Sequence, residues 1–93
     1  MVVFIISYLG EKAKDKAVEY ASRLRREGMA AILASSRKSL KAQLKQANSL
    51  GAAYAIIIGE DEVRSGTVVL RDMAKGEQRS IPAEDMVDFL KVR

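Results

Sequence analysis

The side chains best suited to chemistry in this 93-residue chain are cations, and four of them stand close together: Arg37, Lys38, Lys41 and Lys45. They fall within residues 28 to 59, a stretch that contains no acid. If the chain is helical from about Ser39, a turn of roughly 100° per residue puts Leu40, Leu44 and Ala47 on one side and Lys38, Lys41 and Lys45 on another. Such a helix packs through its leucines and offers cations to solvent, which suits a polyanion bound with salt-dependent affinity. The plainer alternative is a solvated basic face with no ligand.

Other chemistry is largely excluded by composition. The chain has no His and no Cys, which removes an imidazole base, Ser-His and Cys-His pairs, disulfides and ordinary zinc sites. The acids gather in Glu60-Asp61-Glu62 and Glu84-Asp85-Asp88, where a surface loop and a helix start account for them. The turn Ser7-Tyr8-Leu9-Gly10-Glu11 has neither GxGxxG nor GxxxxGK[ST] spacing, so a nucleotide cofactor is disfavoured. No acid stands at the end of the first strand, as a receiver-like phosphoacceptor would require. The expectation is a domain without catalysis, cofactor or metal of its own.

Length allows one domain spanning residues 1–93, and 48% hydrophobic residues can fill a modest, mainly aliphatic core. The net charge of +4 is uneven: residues 1 to 59 hold ten Lys or Arg against four acids, and residues 60 to 93 hold six against eight. No apolar run approaches the roughly 18 to 20 residues of a membrane span. Met1 to Ile6 lacks a basic leader, so the opening reads as a strand and the protein as cytoplasmic.

Hydrophobic periodicity predicts the elements that must position the cations. Val2 to Ile6 is a continuous apolar run, expected as a central strand. Helix one spans about Glu11 to Glu27, with Ala13, Ala17, Tyr20, Ala21 and Leu24 on its inner face and Gly28 at its end. Met29 to Ala34 is a second strand at or near an edge. Helix two opens at Ser36 or Ser39 and closes near Gly51. Tyr54 to Ile58 is a third, buried strand. A hairpin follows, from Gly66 to Met73 and from Glu77 to Ile81 around Ala74-Lys75-Gly76. Pro82 then suits the first turn of a last helix that buries Met86, Val87 and Leu90.

The result is α/β: βαβαβ with right-handed crossovers, then a hairpin and a C-terminal helix. Ligands of open α/β sheets collect outside the carboxyl ends of the strands, here Ser7-Tyr8, Ser35-Ser36-Arg37 and Gly59-Glu60. The N-terminus of helix two, with Arg37, Lys38 and Lys41, suits a phosphate or a single-stranded backbone there. Tyr8 is a candidate stacking face for an unpaired base; the alternative is a ring packed on helix one.

These residues carry a family resemblance. Leu9-Gly10-Glu11, the Leu24 to Gly28 helix end, Arg37 through Lys45, Gly51-Ala52-Ala53-Tyr54-Ala55, Ile58 through Glu62, Gly66-Thr67-Val68 and Leu70 through Gln78 are similar to the C-terminal anticodon-binding domain of class II aminoacyl-tRNA synthetases, most closely the histidyl branch. The Ser-Leu-Lys-x-Gln-Leu-Lys helix and the later Gly-Glu-Gln turn are the more specific signals. The resemblance implies a three-layer α/β/α fold with a five-stranded mixed sheet. It also implies that the partners are a tRNA, through its anticodon loop (tRNA-His in the histidyl branch), and a synthetase catalytic domain, in cis or in trans. By position, it implies tRNA contacts at Tyr8, Arg37, Lys38, Lys45 and Glu60, to which the basic face adds Lys41. Relatives commonly place an acid near the end of strand two, where this chain has Ala34-Ser35-Ser36. A free-standing paralogue with an interaction or regulatory role is the alternative function.

Overall fold

The computed structural model describes residues 2–34 and 39–91. Five strands form one sheet in the order β2-β1-β3-β4-β5, with β1 at Val3–Tyr8, β2 at Ala30–Leu33, β3 at Tyr54–Ile58, β4 at Thr67–Asp72 and β5 at Gln78–Pro82. β1 runs parallel to both β2 and β3, whereas β4 and β5 add antiparallel. The central place of β1 follows from its sequence, because a run without polar alternation needs cover on both faces. β2 lies at the edge, as its weaker hydrophobicity predicts. Its outward Ala31 carbonyl accepts two hydrogen bonds from Arg25, at 3.0 Å from Nε and 2.7 Å from Nη2, which blunts the open edge.

Helices cover both faces. α1 (Glu11–Arg26) packs Ala13, Ala17, Tyr20, Ala21 and Leu24 against Phe4, Ile6, Tyr8, Ile56 and Ile58, the larger of two apolar clusters. On the same side lie α4 (Met86–Lys91), through Met86 and Leu90, and the short α3 (Glu60–Ser65), through Val63. On the other face α2 (Leu40–Ser49) packs Ala47 and half-buried Leu44 onto a small cluster of Ile5, Ala34, Ala52 and Ala55. Both α1 and α2 end in a left-handed glycine, Gly28 and Gly51. Met29 N–H returns to the Leu24 carbonyl and Ala52 N–H to the Ala47 carbonyl, each at 3.0 Å. That closure frees the chain to enter the next strand after two or three residues.

Three expectations change. Glu60-Asp61-Glu62 opens a helix and is not a loop: Glu62 Oε1 accepts from the Gly59 N–H at 2.7 Å, and the three acids stand at the helix's positive end. Pro82 closes β5, paired with Thr67, and a single 3₁₀ turn at Ala83–Asp85 precedes α4. The third concerns the rotation of α2 and is described with the site below.

Candidate nucleic-acid interface

The carboxyl ends of β1 and β3 lie side by side, with Tyr8 in register with Ile58. β2 stops short of them: its last rung is Ile6 with Leu33, after which Ala34 N–H donates to the Ile6 carbonyl at 2.9 Å. α2 starts beside this end. Ser39 is its N-cap, its Oγ accepting from the Ala42 N–H at 3.3 Å, so of the two serines considered Ser39 opens the helix. Arg37 and Lys38 lie outside the described residues.

α2 is turned from the orientation expected. Its fully buried residues are Gln43 and Ala47, while Leu40 and Leu44 are only half-buried, a rotation of roughly 50° about the helix axis. The cause is polar. Gln43 is 0% exposed, with Oε1 accepting from the Tyr8 N–H at 3.0 Å and Nε2 donating to the Tyr8 carbonyl at 3.1 Å. A buried amide needs such partners, and the strand end needs them equally. The sequence signal was a glutamine within an otherwise apolar stripe, and its role was missed.

Lys41 and Lys45 are exposed and project from the side of α2 roughly opposite Gln43 and Ala47. α2 contains no acid, and Lys41 stands in its first turn, where helix polarity disfavours a cation. The other helices run with their dipoles: Glu11 opens α1 and Arg23, Arg25 and Arg26 close it, while Glu60, Asp61 and Glu62 open α3. The positive end of α2 is thus left uncompensated beside two lysines, an arrangement that an anion would neutralise.

Tyr8 does not offer a stacking face. It is 6% exposed and belongs to the α1-side core, so the packed-ring alternative is the one observed, and the exposed side chain at this strand end is Leu9. Ser7, on the α2-facing side of β1, is fully buried with its Oγ unpartnered among the described residues. Glu60 is exposed at the start of α3 and lines a depression of about 350 Å³ between that helix and Leu9, Gly10, Glu11 and Lys12. The lysines and Glu60 therefore flank the β1 end from opposite faces of the sheet. Among the described residues no group of three or more Asp and Glu is gathered to hold a metal ion, and no helix is long and apolar enough to cross a membrane.

A family model described as "Anticodon binding domain" matches residues 2–93. The chain belongs to the anticodon-binding domain family. Relatives of this domain include histidine–tRNA ligases of Dehalococcoides mccartyi (strain ATCC BAA-2266 / KCTC 15142 / 195), 42% identical over 86 residues and 92% of the chain, and Acetivibrio thermocellus, 42% identical over 87 residues and 94% of the chain. The anticodon-binding domain spans about a fifth of the length of these curated relatives, 21% of each. Apo histidyl-tRNA synthetase of S. aureus superposes with a TM-score of 0.86 at 30% identity, covering 95% of this chain and 26% of that one. The RNA-binding domain of threonyl-tRNA synthetase from Cryptosporidium parvum shares the fold, with a TM-score of 0.86 at 20% identity over 98% of this chain and 23% of that one.

Proposed function

We propose that this domain binds the anticodon loop of a tRNA, that the tRNA is tRNA-His, and that it thereby presents the tRNA to a histidyl-tRNA synthetase catalytic domain. The observation that carries this is the acid-free α2, with exposed Lys41 and Lys45 beside the strand ends, in a chain of the anticodon-binding family. The lysines and the positive end of α2 hold backbone phosphates, which supply affinity without sequence information. Arg37 and Lys38, next in sequence, add to the same charge.

Base reading falls to the other side of the strand end. Glu60, exposed at the depression behind Leu9 and Gly10, accepts hydrogen bonds from base N–H groups, as a carboxylate does in direct readout. The domain itself performs no chemistry: without His or Cys it has no imidazole base and no thiol nucleophile, and aminoacylation belongs to the catalytic part of a synthetase.

The test is binding of a labelled anticodon stem-loop carrying GUG against one with a scrambled loop, across a salt series. Preference for GUG with a steep salt slope is expected. Equal, salt-steep binding to both would reduce the function to a basic RNA surface, and no binding to either would favour an interaction or regulatory role.

A further inference from the structure

Strand alternation defines a gap that one side chain fills. Ile6 turns its carbonyl toward β2, where Ala34 donates to it at 2.9 Å, whereas Leu9 turns its N–H toward β3 and the Ile58 carbonyl at 3.0 Å. Tyr8, two residues beyond Ile6, therefore points both its N–H and its carbonyl to the β2 side, past the last rung of β2. Two buried peptide groups would be left unpaired there. The Gln43 amide supplies one acceptor and one donor, at 3.0 Å and 3.1 Å, from 35 residues away, the roles that a carbonyl and an N–H from two alternate residues of a longer parallel β2 would have filled.

The chemistry is selective for glutamine. Asparagine is one methylene shorter, glutamate lacks the donor when ionised, and lysine lacks an acceptor. The remaining anchors of α2 are small or partial: Ala47 is buried, but Leu40 and Leu44 are only half-buried and the cluster beneath consists mainly of alanines. Apolar contact of that kind is non-directional and permits the helix to rotate or slide. The two hydrogen bonds do not.

We propose that Gln43 is a positioning residue for RNA binding: by standing in for the missing rung of β2 it sets the rotation and height of α2, and so places Lys41 and Lys45 against the phosphates. This rests on the RNA-binding reading above. Gln43 faces the sheet, buried, and touches no ligand itself.

Its test uses the 93-residue chain, the GUG anticodon stem-loop, and temperatures well below each variant's melting transition. Gln43→Met removes both hydrogen bonds to Tyr8 and no charge. Expected are faster exchange of the Tyr8 amide proton, affinity weaker by about tenfold, and a salt slope smaller by roughly one. Combined with Lys41→Ala and Lys45→Ala, it should lower the slope no further, a non-additivity that general destabilisation would not produce. A folded Gln43→Met chain with wild-type affinity and slope, or with a loss that simply adds to that of the lysine changes, overturns the proposal while leaving the RNA reading standing. If that variant does not fold, the uncharged Gln43→Asn, one methylene too short to hold both Tyr8 groups, is judged by the same slope and the same additivity. A wild-type chain that binds no RNA overturns the RNA reading, and the positioning role with it, even if the Tyr8 amide proves protected.

Discussion

Lys41 and Lys45 are one helical turn apart on a side of α2 that makes no part of either apolar cluster. Their replacement by Ala should leave the melting temperature nearly unchanged while lowering the salt slope of stem-loop binding by roughly one to two, measured by titration across a salt series. Unchanged binding would remove the basic face from the interface. Leu44 makes the contrasting case. Its side chain packs on the smaller cluster but is only half-buried, so Leu44→Ala should cost about 1 to 2 kcal/mol in denaturant unfolding, below the range for a fully buried leucine. A larger loss would mean that α2 sits more deeply than described. Tyr8 shows how residue type and residue role part company: an aromatic at a strand end suggests stacking, yet here the ring fills the α1-side core and the backbone makes the contact that matters.

At the scale of elements, α2 is the least self-sufficient helix. It has ten residues, no acid in the first turn and no basic residue in the last, so the dipole does not support it, nor, among the described residues, does any ion pair. Ser39 is accordingly important, since its hydroxyl satisfies one of the free N–H groups at the helix start. Ser39→Ala is expected to cost about 1 kcal/mol of global stability. It should also weaken stem-loop binding more than Lys-to-Ala changes on α1, because fraying at this end displaces Lys41. Equal binding by the Ser39→Ala chain would show that the first turn of α2 is not used. The hairpin is fixed differently. Asp72 Oδ1 accepts from the N–H groups of Ala74 and Lys75, both at 3.0 Å, so the turn carries its own polar closure and needs no help from the site.

For the whole molecule, charge and fold divide the labour: the acid-free stretch lies in the βαβαβ half and the net negative charge in the hairpin half. Lacking His and Cys, the domain has no side chain of ordinary pKa between the carboxylates and the amines. Stability and RNA affinity should therefore be flat from about pH 5.5 to 7, as thermal melts and titrations can check. Within that window the Glu27–Lys91 ion pair, which ties the end of α1 to the end of α4, is fully charged, and outside it the pair titrates. The Lys91 ammonium holds the Glu27 carboxyl below its usual range, through a hydrogen bond first and charge second, and Glu27 raises Lys91 in the same order. A depressed carboxyl contributes above its unfolded pKa and loses that contribution as pH falls through its folded value. A raised ammonium contributes below its unfolded pKa and loses the contribution as pH rises through its folded value. Both groups are at the surface, so the effect is small. Melting curves of Lys91→Ala and wild type should differ slightly near neutrality and converge in strong acid. A constant gap at every pH would exclude the ion pair as its cause.

The sequence by itself determined what depends on near neighbours. The unbroken apolar run of β1 required a central strand, the alanine spacing of α1 predicted its whole buried face, and Gly28 and Gly51 ended their helices, because periodicity and caps act within a few residues. The same local reasoning located the basic helix and excluded imidazole and thiolate chemistry. It failed where an outcome depended on distant register. Glu60 to Ser65 is too short to show a helical period, and only its packing on α1 and the Glu62 cap make it a helix. The burial of Tyr8 was decided by where α1 crosses β1, and the rotation of α2 by where β2 stops. A glutamine in an apolar stripe has no meaning in sequence until the strand 35 residues earlier is seen to lack its last partner, since buried peptide groups must be satisfied by whatever the fold brings to them.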